Sequence, residues 1–222
     1  MSFDASATLE HAVPALLVPP PSCRRPAPVP AIESHAVDSP CRDELEEFVR
    51  REFLVHFAAR VTQFMPELLA LRTASGELRS VVGCRAAARE PLFLETYTRE
   101  PIEIALARRN GFFVPRARIV EIGSLACRNA GGAVAIVQAL VPYLLGAGFT
   151  WVVFTGATTV MNVFRHLGLA PQSLCPADPL LLGEARHAWG TYYDHAPHVM
   201  AGRISDGAAA VAPRRWLRGL PQ

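Results

Sequence analysis

Arg128-Asn129-Ala130-Gly131-Gly132-Ala133 is the stretch whose reading decides the fold. It follows Arg118-Ile119-Val120-Glu121-Ile122-Gly123-Ser124-Leu125-Ala126, an apolar, β-branched run that reads as a strand over residues 117–126. It precedes an apolar segment that reads as a helix over residues 133–145. A turn of small residues between a strand and a helix leaves the first N–H groups of the helix without intrahelical partners. The helix dipole adds partial positive charge at the same place. Phosphate binds readily to such a helix start. An ordinary glycine-rich helix start is the plain alternative, since short glycine patterns are common.

Working outward, residues 43–53 carry apolar positions at helical spacing with acids in the first turn, and this helix continues toward residue 60. Residues 69–73 and 78–85 flank the turn Ser75-Gly76-Glu77 and read as a β-hairpin. Residues 92–97 fit a strand or a helix start, and residues 102–109 have helical spacing that ends at Asn110-Gly111. Residues 149–155, Phe-Thr-Trp-Val-Val-Phe-Thr, read as a buried strand. Thr158 or Thr159 is placed to cap a helix through Leu167, closed by Gly168. A weaker strand is expected at 173–175. The order is that of an α/β domain with a mixed sheet flanked by helices.

The flanks read differently. Pro14, Pro19, Pro20, Pro21, Pro26, Pro28, Pro30 and Pro40 crowd residues 1–42, which are expected to form a disordered leader. The folded domain is expected over residues 43–204 and a loose basic tail over 205–222. In that tail Arg214-Arg215-Trp216-Leu217-Arg218 reads as a solvated segment, with peripheral contact to anionic lipid or a carrier protein as the other reading. The apolar run at 13–18 is short and lacks a preceding basic region, so a secretory signal is not expected. The run at 133–145 is too short to span a bilayer, and no transmembrane segment is expected. Five scattered cysteines with no Cys-x-x-Cys pair suit free thiols in the cytoplasm. A net charge of +2 argues against bulk nucleic-acid binding. His187, His195 and His198 have poor spacing for a metal site, so none is expected.

The motif Arg-x-x-Gly-x-Ala resembles the pyrophosphate signature of the GNAT acyltransferases. Glu121-Ile122-Gly123-Ser124-Leu125-Ala126, Trp151-Val152-Val153-Phe154-Thr155 and Asn162-Val163-Phe164-Arg165-His166-Leu167-Gly168-Leu169 resemble the thermostable hemolysin family more specifically. Ala177-Asp178-Pro179, Trp189-Gly190-Thr191-Tyr192-Tyr193, Phe93-Leu94-Glu95-Thr96-Tyr97 and Pro101-Ile102-Glu103 fit the same family, so the likeness spans residues 45–204. The resemblance implies a GNAT-like fold related to acyl-homoserine-lactone autoinducer synthases, which join an acyl chain from an acyl carrier protein to an amine. It implies an N-acyltransferase that moves a medium or long acyl group from acyl-ACP or acyl-CoA to an amino acid or related amine. Acyl-CoA or acyl-phosphopantetheine would be a substrate, with no tightly bound cofactor. The family name itself raises a membrane-active, cytolytic protein as the rival, and a GNAT-like binding module without catalysis is a third reading. The sequence shows no lytic amphipathic helix, which weighs against the rival.

On this reading Arg128, Asn129, Ala130, Gly131, Gly132 and Ala133 hold the donor, Arg128 as a cation and the glycines by permitting close backbone approach. Glu121 is a carboxylate in an apolar strand, costly there unless paired. It suits a general base toward the amine, an ammonium-binding group, or a salt-bridged structural acid. Arg85, Glu95, Tyr97 and Glu103 are candidates for the amine pocket, with Arg85 gripping a substrate carboxylate or bridging to Glu95. Ser124, Trp151, Phe154, Asn162 and Phe164 complete the expected substrate-binding set, with Trp151 to Phe154 lining an acyl tunnel. Trp189, Tyr192 and Tyr193 read first as core packing and second as tunnel wall. Many GNAT enzymes carry a thiolate-protonating tyrosine where this chain has Phe164, four residues before Gly168. Another acid then serves, or the thiolate leaves unaided, as a thiol pKa near about 8.5 allows.

Overall fold

A computed structural model describes residues 32–211. In chain order the main elements are β1 Glu33–His35, α1 Arg42–Phe57, β2 Glu67–Arg72, β3 Leu78–Ala86, α2 Glu95–Thr98, α3 Ile102–Asn110, β4 Ile119–Cys127, α4 Ala130–Gly146, β5 Trp151–Gly156, α5 Thr158–His166, β6 Gln172–Pro176, β7 His198–Arg203 and α6 Ile204–Val211. Short 3-10 turns fill the stretch Pro179–Trp189 and Tyr192–His195. The seven strands form one sheet in the order β1-β2-β3-β4-β5-β7-β6. Only β4 and β5 run parallel, joined by α4; the neighbouring pairs on either side are antiparallel. This is the mixed, helix-flanked α/β architecture expected of a GNAT-like domain.

Strand alternation assigns the two faces of the sheet. Val120, Ile122, Phe154 and Met200 pack under α4, whose Ala135, Ile136, Val137, Ala139, Leu140, Val141 and Leu144 are all buried. α4 is apolar nearly all round because α5 and α6 cover the side turned from the sheet. On the opposite face, Ile119, Trp151, Val153, Val199 and Ala201 pack under α2 and α3. Beside them, Leu45, Phe48, Val49 and Phe53 of α1 pack on Leu68, Ala70, Leu78 and Val81 of the hairpin.

Several local readings change in three dimensions. Residues 92–97 are a helix start, completed by α2. β2 spans Glu67–Arg72 and so begins two residues before the strand expected over 69–73. Glu33–His35 lies in the stretch read as leader but pairs antiparallel with β2. Helix α6 occupies the first part of the expected loose tail, with Ile204 buried and Gly207 seated 3.1 Å from Val141 if given a Cβ. The segment His198–Arg203, for which no strand is expected from sequence, is β7. It carries little strand signal of its own, yet it is inserted between β5 and β6 and so satisfies its backbone on both sides. The Pro-rich residues 1–31 and the basic segment 214–218 lie outside the described residues. No described helix is long and apolar enough to cross a membrane.

Candidate active site

β4 and β5 pair from Ile119↔Trp151 to Ile122↔Phe154 and no further, although β4 continues to Cys127 and β5 to Gly156. The parting begins beside a bulge. The β3–β4 register runs Val81↔Ala126 and then Gly83↔Gly123, so one extra residue of β4 is accommodated opposite Val82. Ser124 sits there with φ of +51°, an unusual conformation for a residue with a Cβ. Past Ile122 the β4 backbone has no ladder partner in β5.

The gap opens a cavity of about 340 Å³ that passes from one face of the sheet to the other. Glu121, Ser124 and Phe154 border it at the sheet. Val137, Leu140, Val160, Phe164 and Ile204 line the apolar branch beneath α4, α5 and α6. Phe164 meets Phe154 at a ring-centroid distance of 5.0 Å.

Glu121 is 2% exposed. Its Oε2 accepts the N–H of Phe93 at 2.9 Å and its Oε1 accepts the N–H of Leu94 at 3.0 Å. Burial raises its carboxyl to about 7, against the downward pull of those two N–H groups and of Arg85, its cross-strand neighbour. The residue therefore anchors the loop before α2 while bordering the cavity.

The other polar candidates divide. Tyr97 lines the cavity, and its hydroxyl pairs with that of Tyr193. Burial and this partner raise the Tyr97 hydroxyl far above its usual range. Glu95 and Glu103 instead share Arg116, with Glu103 Oε2 at 2.7 Å from Nη1. Glu95 also accepts the N–H groups of Leu92 and Ile102, both at 2.8 Å. Burial pushes the Glu95 carboxyl upward, but Arg116 and these N–H groups outweigh it and hold it below the usual carboxylate range. Arg85 lies 3.5 Å from Glu90 and donates to the Pro91 carbonyl, so the bridge to Glu95 is not formed. Arg85, Glu95 and Glu103 do not border the cavity.

Two further expectations are corrected. Trp151 turns to the α3 face, where it packs against Phe112 and Arg203, because alternation sets it opposite to Val152 and Phe154. Asn162 lies on the exposed side of α5 and does not border the cavity.

The start of α4 follows directly from the bulged end of β4. Asn129 is its N-cap, accepting the Gly132 N–H at 2.9 Å through Oδ1. The N–H groups of Ala130 and Gly131 meet no acceptor among the described residues. Gly132 is pressed against β3: a Cβ there would lie 2.8 Å from Ser80 Oγ and 3.2 Å from the Arg79 carbonyl. Arg128 points toward Glu77, 4.0 Å away, and the Phe48 ring. The cation at the helix start is Arg79, which donates to the Gly131 carbonyl at 2.8 Å. Arg79 lies 52 residues from Gly131 on another strand, so no local sequence pattern links the two. None of residues 128–133 borders the cavity itself.

Trp189, Tyr192 and Tyr193, read first as core, border the cavity together with Phe57, Phe93 and Tyr97. Their loop is fixed on the end of α1: Arg60 donates to the Ala188 carbonyl and Thr191 to that of Phe57, at 2.6 and 2.8 Å. Gly190 has φ of +52° and ψ of −124°, and a Cβ on it would strike the Phe57 carbonyl. The Trp-Gly-Thr-Tyr-Tyr run was the available signal; its place beside Glu121 was not.

The family described as thermostable hemolysin matches residues 35–208. No curated protein matches the chain in sequence. Among solved structures, an apo form of TofI is 18% identical with a TM-score of 0.58, covering 81% of this chain and 95% of that one. FeeM, an N-acyl amino acid synthase from uncultured soil microbes, is 12% identical with a TM-score of 0.54, covering 80% and 98%. The acyl-homoserine-lactone synthase LasI is 11% identical with a TM-score of 0.54, covering 82% and 95%. At these identities the likeness establishes a shared fold.

Proposed function

The chain belongs to the thermostable hemolysin family, and from that premise we propose that it is an N-acyltransferase. It moves a medium or long acyl group from an acyl-ACP or acyl-CoA thioester to an amino acid or related amine. One observation carries the reading: the split between β4 and β5 joins a buried carboxylate on one face of the sheet to an apolar channel on the other. The relatedness in fold to FeeM, an N-acyl amino acid synthase, and to LasI, an AHL synthase, supports the same chemistry.

The pantetheine arm lies along the unpaired edge of β4 past Ile122, using backbone groups that β5 does not occupy. The donor's phosphate end meets the start of α4, where the free N–H groups of Ala130 and Gly131 and the side chain of Arg79 gather. The acyl chain enters the channel under α4 and α5, each buried CH₂ contributing about 0.8 kcal/mol. Glu121 takes a proton from the acceptor nitrogen, which attacks the thioester carbonyl; the C–N bond forms, the C–S bond breaks and sulfur leaves as thiolate. The acceptor occupies the Glu121 side of the sheet.

The test is to incubate the purified protein with acyl-CoA and acyl-ACP of graded length and a panel of amines, and to read amide products by mass spectrometry. Amides of medium or long acyl groups are expected. Absence of both amide formation and thioester binding across the series would overturn the proposal.

A further inference from the structure

The acceptor end of the cavity has an unusual chemical balance. Its walls include the aromatic side chains Phe57, Phe93, Tyr97, Trp189, Tyr192 and Tyr193, and its acidic group is Glu121. The rings form a continuous set. Trp189 lies 5.5 Å from Tyr192, 6.2 Å from Tyr193 and 6.0 Å from Phe93, and Phe57 meets Tyr192 edge-on at 5.3 Å. Their hydroxyls are engaged: Tyr97 with Tyr193, and Tyr192 with the Thr155 carbonyl at 3.2 Å.

Two cations of the region, Arg85 and Arg116, do not border the cavity. Arg85 lies beside Glu90 and donates to the Pro91 carbonyl, with its Nε buried and without a hydrogen-bond partner, Arg116 pairs with Glu95 and Glu103, and Arg203, which borders the cavity, rests over Phe112 and Trp151 at 5.0 and 5.5 Å. The other charged lining residue is Asp206, on α6. An amino-acid acceptor would thus place its carboxylate among aromatic rings beside a buried carboxylate, and the cation that borders the cavity among the described residues, Arg203, packs over Phe112 and Trp151. Like-charge juxtaposition of this kind costs several kcal/mol. A cation in the same place gains from the ring quadrupoles and from Glu121 together.

We propose that the acceptor is a small cationic primary amine without a carboxylate, held by the aromatic walls and Glu121. This narrows the acyl-transfer reading and rests on it. The bound ammonium gives one proton to Glu121, the resulting amine forms the C–N bond as the C–S bond breaks, and the second nitrogen proton goes to the departing thiolate. The products are a neutral amide and a free thiol, and Glu121 returns its proton to solvent.

The experiment compares tyramine with tyrosine as acceptors for dodecanoyl-CoA, using the full-length protein, with dodecanoyl-CoA binding measured separately by calorimetry. Tyramine is expected to exceed tyrosine in kcat/KM by at least about 100-fold, the equivalent of the charge penalty. Trp189→Leu is expected to raise KM for tyramine by about 10- to 30-fold, the range of a desolvated cation–ring contact, while leaving calorimetric donor affinity in place. As a readout free of catalysis, phenethyltrimethylammonium should quench tryptophan fluorescence at lower concentration than neutral 3-phenylpropanol. Equal or better use of tyrosine overturns the inference. So does donor binding with neither amine acylated and no preference for the quaternary cation, and in that case the acyl-transfer reading stands. Failure of dodecanoyl-CoA to bind overturns the acyl-transfer reading and this inference with it.

Discussion

The Oε1 atom of Glu121 accepts the backbone N–H of Leu94 at 3.0 Å, tying β4 to the loop before α2 across 27 residues of chain. The same carboxylate borders the cavity, so its two duties are separable by experiment.

Glu121→Gln is expected to lower acyl transfer by about 100- to 10,000-fold, the usual contribution of a general base. In the parent protein kcat/KM should rise as the carboxyl ionises through about pH 7 and level off above it. The variant should show a flat profile over that range. A retained rise near pH 7 in Glu121→Gln would assign the titration to another group.

The stability of the same variant carries a different sign. Gln accepts through one atom, so the N–H of Phe93 or Leu94 faces an NH₂ group; a buried unsatisfied N–H costs about 1–3 kcal/mol. Because folding raises the Glu121 carboxyl from 4.5 to about 7, its favourable contribution is full below pH 4.5 and is lost as pH rises through 7. The difference in unfolding free energy between parent and variant should shrink from pH 5 to pH 8. Urea titrations at the two pH values measure it.

Glu95→Gln is expected to act on stability, by about 1–3 kcal/mol, because Glu95 accepts two backbone N–H groups and pairs with Arg116. Its carboxyl lies below the usual value in the fold, so the contribution is present above pH 4.5 and is lost as pH falls through the lowered folded value. KM for the acceptor should change little, since Glu95 does not border the cavity. A large KM effect with unchanged Tm would return Glu95 to the substrate pocket.

The two glycines at the start of α4 should behave differently. Gly132→Val forces atoms against Ser80 and the Arg79 carbonyl and should cost about 1–3 kcal/mol through overpacking. Gly131→Val meets Arg79 Nη2 at 3.3 Å and Asn129 Oδ1 at 3.4 Å, so the fold should persist while donor affinity falls strongly. Thermal melts and calorimetry with acyl-CoA separate the two outcomes; unchanged donor affinity in folded Gly131→Val would remove the helix start from the donor site.

Val160→Phe, within the apolar branch, should shorten the channel. Parent activity should climb with each added CH₂ until the channel fills, and the variant should reach its maximum at a shorter donor. Equal kcat/KM for acetyl and long-chain donors in the parent would contradict an acyl channel.

The sequence by itself determined the strand–turn–helix unit around residues 118–145, the hairpin, and the buried strand at β5. These are local patterns: apolar periodicity, a small-residue turn and β-branched runs act within one element. It also marked Glu121, because a carboxylate in an apolar strand stands out in one dimension. Tertiary structure alone made His198–Arg203 a strand, since a short segment with weak propensity is stabilised by ladders on both sides. It likewise redirected Arg85 to Glu90, gave Glu95 and Glu103 to Arg116, and turned Trp151 away from the cavity that Phe154 borders. Ion-pair choice and the face a side chain takes depend on register and on partners distant in the chain, which periodicity does not encode. The gap between β4 and β5 is of the same kind: it arises where a bulge of one residue and the end of a parallel ladder fall side by side.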